Sequence, residues 1–121
     1  MKPESKYAAG LRGQKAAATF LRAEGMEILQ ENYRIRGGEI DIIARDGEYI
    51  VFVEVKFRTG LGFGRPAEAV NYAKQKKIIH TASHYIAAKN LINQDFRFDV
   101  VEVLQHEGVM YAKVIKDAFW A

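Results

Sequence analysis

Two short segments hold most of the ionisable chemistry this chain offers. Gly38-Glu39-Ile40-Asp41-Ile42-Ile43 and Val53-Glu54-Val55-Lys56 set three acids and a lysine inside stretches that otherwise read as buried strands. Charges in such surroundings are costly to desolvate and need partners or a metal. Val51, Val53, Val55 and Phe57 alternate with Phe52, Glu54, Lys56 and Arg58. A strand therefore puts Glu54 and Lys56 on one face and an apolar row on the other. In the earlier segment Ile40, Ile42 and Ala44 share one face, and Glu39, Asp41 and Ile43 the other. Asp46-Gly47, between the segments, is a favoured two-residue hairpin turn. With that turn Arg45 pairs with Glu48, Asp41 stands opposite Phe52 and Glu39 opposite Glu54. Asp41 is then a diagonal neighbour of Glu54, about 7–8 Å away at the backbone. A slip of two residues sets Asp41 directly opposite Glu54. Both registers bring the acids and the lysine together; a slip of one does not.

This set suits metal-assisted hydrolysis of a phosphodiester. Mg²⁺ takes hard oxygen ligands and keeps several waters, so one or two carboxylates plus substrate phosphate make a site. Asp41 and Glu54 are the expected ligands, with the Val55 carbonyl as a third. Lys56 follows a ligand by two residues and shares its face, where it can position the attacking water or offset charge growing on the phosphate. Glu39 has two readings: an outer-shell ligand, or the partner of a nearby arginine. The plainer alternative for the whole set is a solvated ladder of cross-strand ion pairs on an ordinary hairpin. Glu39 and Glu54, which repel each other without a cation, weigh toward the site.

At these residues the chain resembles the PD-(D/E)XK nuclease superfamily. More closely it resembles the YraN-like family of endonuclease-like proteins, related to Holliday-junction resolvases. The resemblance covers most of the chain. It includes Gly13 with the helix after it, Asn32-Tyr33-Arg34, Gly38-Glu39-Ile40-Asp41, Phe52-Val53-Glu54-Val55-Lys56 with Arg58, Lys74, and Arg97-Phe98-Asp99-Val100-Val101. It implies a restriction-endonuclease-like α/β core and a divalent metal, Mg²⁺ or Mn²⁺, at Asp41 and Glu54. It also implies a nucleic-acid substrate, DNA before RNA and branched DNA in particular, and by fold-level analogy a homodimer. One departure stands out. The family usually carries Glu after the first-helix glycine, whereas Gly13 is followed here by Gln14. A Gln amide oxygen accepts hydrogen bonds but carries no charge. That gives a second reading: a nucleic-acid-binding module with weakened or no nuclease activity.

The elements that must position these groups can be read along the chain. At 121 residues, 49% hydrophobic and 27% charged, it is expected to be one domain, 1–121, with 1–5 loose. Lys6 to Glu24 has helical spacing, with Leu11, Ala17, Phe20 and Leu21 as an apolar stripe and Gly25 as a stop. Met26 to Arg36 reads as a strand, Gly37-Gly38 as a turn or bulge, and the acidic hairpin runs on to Arg58. Thr59 to Arg65 is a glycine-rich loop without the Lys-Ser/Thr ending of a P-loop. Its Phe63 either anchors in the core or stacks on nucleic acid. Pro66 suits a first helical turn. Val70, Ile78, Ala82 and Ile86 then form a stripe on which Lys74 also lies, facing the site. His80 and His84 read as surface or partly buried histidines. Arg97 to Leu104 and Val109 to Ile115 are strands joined at Glu107-Gly108, with Asp99 as an ion-pair partner. Phe119-Trp120 caps the core or faces a partner. The order is α-β-β-β-α-β-β around a mixed central sheet.

Net charge of +3 and a pI near 9.2 permit a polyanionic partner without requiring one. The cations cluster usefully. Lys2, Lys6, Arg12, Lys15 and Arg22 surround the first helix; Arg58, Arg65 and Lys74 ring the acids as expected nucleic-acid contacts. Lys76 and Lys77 read as a solvated helix face. The chain has no cysteine, which excludes disulfides and thiolate metal sites and suits a reducing cytosol. A cytoplasmic location follows as the expectation, since no run approaches the roughly 20 apolar residues of a membrane span.

Overall fold

The computed structural model describes residues 3–60, 62–63 and 70–121. Arg65 and Pro66 lie outside the described residues. The element order is α1 (Lys6–Ala23), β1 (Glu27–Ile35), β2 (Gly38–Asp46), β3 (Tyr49–Thr59), α2 (Tyr72–Ala88), β4 (Asp95–His106) and β5 (Val109–Phe119). The five strands form one sheet in the order β1-β2-β3-β4-β5. All neighbours are antiparallel except β3 and β4, which are parallel. A parallel pair needs a crossover, and α2 lies in that connection. Among the described residues no helix is long and apolar enough to cross a membrane.

Each helix covers one face of the sheet. Ser5 caps α1 by accepting from the Ala8 N–H at 3.1 Å, and Asn71 caps α2 by accepting from Lys74 at 2.9 Å. Gly25, at φ +92°, takes the left-handed position that ends α1. Ala17, Ala18 and Leu21 of α1 pack on Ile42, Ala44, Val51, Val53, Val101 and Val103. On the other face Ile78, Ala82 and Tyr85 of α2 pack on Ile43, Ile50, Phe52, Phe98 and Val100. Phe52 stacks on Phe98 at 5.5 Å and Phe98 on Phe119 at 5.0 Å, so Phe119 closes the core. Trp120 is exposed. Leu11, expected in the apolar stripe, is 47% exposed instead. The buried line of α1 runs through Gly13, Ala17, Ala18 and Leu21.

Gly13 sets how closely α1 sits. A Cβ there would come within 2.5 Å of the Phe57 ring and 2.9 Å of the Phe57 Cβ. Only a residue without a side chain lets this turn of α1 rest directly on β3. Gln14 is thereby held at the end of β3 that carries the acids.

The hairpin register is the two-residue slip. Asp46 pairs with Tyr49, Arg45 with Ile50, Ile43 with Phe52 and Ile42 with Val53. The loop residues are thus Gly47 and Glu48, not Asp46 and Gly47, and Gly47 has φ +60°. A two-residue turn with glycine first is the II′ geometry that suits twisted strands as well as the Asp-Gly alternative does. Asp46 instead accepts from Arg97 Nη2 at 2.8 Å.

Strand β2 also departs from simple alternation. Ile40 packs in the α2 layer and Ile42 in the α1 layer, although residues two apart should share a face. The expected face of Ile40, Ile42 and Ala44 is therefore broken at Asp41. Across the ladder, Tyr33 pairs with Ile40 and Glu31 with Ile42, and Asn32 between them has φ +52°. Both strands turn over together, using an asparagine that tolerates the left-handed region.

Candidate functional site: a buried acid pair where two strands part

The turnover in β2 places Asp41 where β2 and β3 part. Beyond the last paired residues, Ile42 and Val53, the Asp41 carboxylate takes up the Val55 N–H at 2.8 Å. Continuing the register sets Asp41 opposite Glu54. Glu54 is 7% exposed, and Lys74 of α2 reaches it, Nζ to Oε1 at 3.8 Å. Asp41 and Glu54 are neighbours, and each alters the other's ionisation. Lys56 follows Glu54 by two residues on β3 and its charge acts on Glu54. Asp41, Glu54, Lys56 and Lys74 therefore converge.

Two carboxyl groups so close and so dry resist ionising together. Burial pushes Glu54 up to about 7; the Asp41 charge adds to this, while Lys74 and Lys56 oppose it. Burial also raises Asp41, against the pull of the Val55 N–H. The two lysines thus only partly offset the negative charge. A divalent cation would complete the compensation.

The other residues singled out above fall as follows. Glu39 pairs with Arg34 across the β1–β2 ladder, Nε to Oε1 at 3.2 Å, so its arginine-partner reading holds. Gln14 donates from Nε2 to Glu31 Oε1 at 3.2 Å. Arg58 is drawn to Glu102, Nε to Oε2 at 3.7 Å, and Glu102 is fully buried. An arginine directed at a buried acid is less free for phosphate than expected of a nucleic-acid contact. Val55 borders the cavity beside Asp41. His80 and His84 are exposed, with rings 5.1 Å apart. Asp99 is buried and bound by Arg97 through two contacts of 2.9 Å. It is committed to Arg97 and to the Asp117 N–H.

Two cavities open beside the acids. One, of about 330 Å³, is lined by Asp41, Glu39, Gln14 and Val55 together with Asn32, Arg34, Lys6, Tyr7 and Leu11. The second, of about 380 Å³, is lined by Arg34, Glu39, Lys74 and Lys77. Lys77, expected on a solvated face, thus borders the cleft, while Lys76 lies over the Tyr72 ring at 4.9 Å. Sequence reasoning missed Glu31, Glu102 and Tyr7 around this site, and named Asn32 only as part of the resemblance. Their roles depend on neighbours far along the chain, and only the position of Asn32 beside Tyr33-Arg34 offered a signal.

The donor set fits a hard divalent cation. Two carboxylates meet at the site, and hard ions accept such oxygens with water and phosphate completing the shell. Among the described residues no group of three or more His, Cys, Asp or Glu forms a ligand set. The centre is a pair of acids rather than an all-protein cage.

Fold and site together define a mixed α/β protein with a five-stranded sheet between two helices and a buried acid pair where β2 and β3 part. The chain belongs to the uncharacterised protein family UPF0102, whose model matches residues 13–103. It is 52% identical over 113 residues to a UPF0102 protein of Clostridium acetobutylicum, covering 92% of this chain and 93% of that one. It is 50% identical over 103 residues to a UPF0102 protein of Nocardia farcinica, covering 85% and 81%. A UPF0102 protein of Symbiobacterium thermophilum is 47% identical over 113 residues, covering 93% and 96%.

Proposed function

We propose that this protein is a divalent-metal-dependent endonuclease, related in fold to restriction endonucleases and Holliday-junction resolvases, that hydrolyses phosphodiester bonds of DNA. The observation that carries the reading is the meeting of Asp41 and Glu54 in a desolvated site backed by Lys74. Asp41, Glu54 and the Val55 carbonyl would hold Mg²⁺ or Mn²⁺. Such an ion, when bound, polarises a phosphate oxygen and makes a bound water more acidic. The Val55 N–H holds the Asp41 carboxylate in place through one of its oxygens. Lys74 steadies Glu54. Lys56 holds the attacking water in line or offsets charge that grows on the phosphate in the transition state. Arg34, Lys74 and Lys77 around the second cavity grip neighbouring phosphates.

The test is direct. Labelled branched and duplex DNA, incubated with Mg²⁺ or Mn²⁺, should be cut by the wild type and spared by Lys56→Ala. Failure of the wild type to cut any DNA under these conditions would contradict an active nuclease.

The second reading, binding without turnover, is favoured by one observation. Gln14 lines the cavity with an amide instead of an acid, and that amide is tied to Glu31 at 3.2 Å. Salt-sensitive DNA binding without cutting would support it.

A further inference from the structure

The cavity beside Asp41 has an apolar lip that the hydrolysis of a phosphodiester does not require. Tyr7 and Leu11 lie four residues apart on α1, so they share a face of the helix. Both line the cavity that also contains Asp41. Tyr7 is 74% exposed and Leu11 47%, so neither is held by the core. Lys6 and Arg34 stand on the same rim, and the other side of Arg34 opens onto Lys74 and Lys77. An aromatic face beside a track of cations is the pairing that binds single-stranded nucleic acid, because every base has a face to stack and every link a charge to neutralise. Where no cation offsets them, the acids of the cavity repel a phosphate but not a neutral base. At about 330 Å³ the cavity is at the small end of ligand-sized pockets and suits one residue of a strand rather than a duplex edge.

We infer that this cavity is a subsite for one unpaired nucleotide next to the scissile phosphate, its base stacked on Tyr7 against Leu11 while the strand continues toward Lys74 and Lys77. The inference rests on the nucleic-acid reading above and narrows it to DNA carrying an unpaired nucleotide at or near the cut.

Fluorescence anisotropy in EDTA at low salt tests it apart from any cutting. The probes are a fully paired duplex, the same duplex with one unpaired nucleotide, and that DNA with the unpaired base removed to leave an abasic sugar. The wild type should prefer the unpaired nucleotide over the paired duplex by about tenfold, a gain within the range of base stacking on an aromatic side chain. Tyr7→Ala should erase the preference, Tyr7→Phe should keep it, and the abasic probe should bind like the paired duplex. Tyr7 is an exposed side chain, so a circular-dichroism melt of Tyr7→Ala should match the wild type. Equal binding of the paired and unpaired probes, or a preference that survives in Tyr7→Ala or with the abasic probe, overturns the subsite. Cleavage with Mn²⁺ separates the two proposals. Wild-type cutting without a Tyr7-dependent preference keeps the nuclease and removes the subsite. A Tyr7-dependent preference without cutting does the reverse. No binding to any of the three probes overturns the subsite.

Discussion

At the scale of single residues, Glu54 has the most to explain. It is 7% exposed and touched by one lysine at 3.8 Å, yet it sits beside another acid. Such a carboxyl binds a proton more tightly in the folded chain than in the unfolded one. Between an ordinary value near 4.5 and the folded value of about 7, the native state therefore holds the extra proton. Stability from this group is full below pH 4.5 and lost as pH rises through 7. Melts in EDTA should accordingly show a midpoint that falls over this range, an effect that Glu54→Gln flattens. Asp41 contributes in the same direction. Lys56 carries a different kind of prediction. If it acts on the reacting phosphate, Lys56→Ala should lower the cutting rate by about a hundredfold or more with little change in the melt. An unchanged rate would leave it as a surface charge. Gln14 and Glu31 must be tested together. Gln14→Glu alone sets a second acid against Glu31, where the amide now donates at 3.2 Å. The exchange Gln14→Glu with Glu31→Gln keeps the hydrogen bond and restores an acid to the cavity. On the nuclease reading the double variant binds Mn²⁺ more tightly than the wild type in a calorimetric titration, and equal affinity would place position 14 outside the metal's reach.

At the scale of elements, most of the positioning was legible because it follows from two periodicities. Val51, Val53 and Val55 alternate with Phe52, Glu54 and Lys56, and β3 keeps that order, with Val51 and Val53 in one core layer and Phe52 in the other. Of the expected stripe, Ile78, Ala82 and Ile86 lie on α2 and pack on the sheet, while Val70 joins the same core from ahead of the Asn71 cap; Lys74, one turn before Ile78, reaches Glu54 as expected. The turnover at Asp41 was not legible from β2 alone, because it depends on Asn32 in the next strand adopting φ +52°. Nor could the hairpin register be chosen from the turn residues. Asp46-Gly47 and Gly47-Glu48 both offer acceptable two-residue loops, and the choice falls to Arg97, fifty-one positions after Asp46, which binds that side chain. Two substitutions probe elements without touching the proposed chemistry. Gly13→Ala forces a methyl against Phe57, so it should cost about 1–3 kcal/mol in urea unfolding and loosen the placement of Gln14. Asp99→Ala takes from Arg97 the partner that raises its pKa most, leaving Asp46 to hold it, and removes the acceptor of the Asp117 N–H. It should cost about 1–3 kcal/mol while the folded fraction retains the wild-type rate of cutting. A specific loss of cutting without loss of stability would assign Asp99 to the chemistry instead.

At the scale of the whole molecule, two charged clusters sit on the sheet. One is held by Arg97, Asp46 and Asp99, with Lys116 3.7 Å from Asp46. The other lies where β2 and β3 part, with Asp41 on one cavity and Lys74, the partner of Glu54, on a second. The family is legible in the sequence, since Gly-Glu-Ile-Asp and Phe-Val-Glu-Val-Lys lie within residues 13–103, which match the family model. The pairing of Gln14 with Glu31 and the exposed lip of Tyr7 and Leu11 were not, because they join α1 to strands that alternation alone does not place beside it. An endonuclease of the proposed kind requires the paired acids to hold a divalent ion. Anomalous diffraction from a crystal soaked in Mn²⁺ measures this most directly. The expected result is a single strong peak between the Asp41 and Glu54 carboxylates, absent from Glu54→Gln. A crystal with no peak there, or with Mn²⁺ only at the exposed His80 and His84, would contradict it.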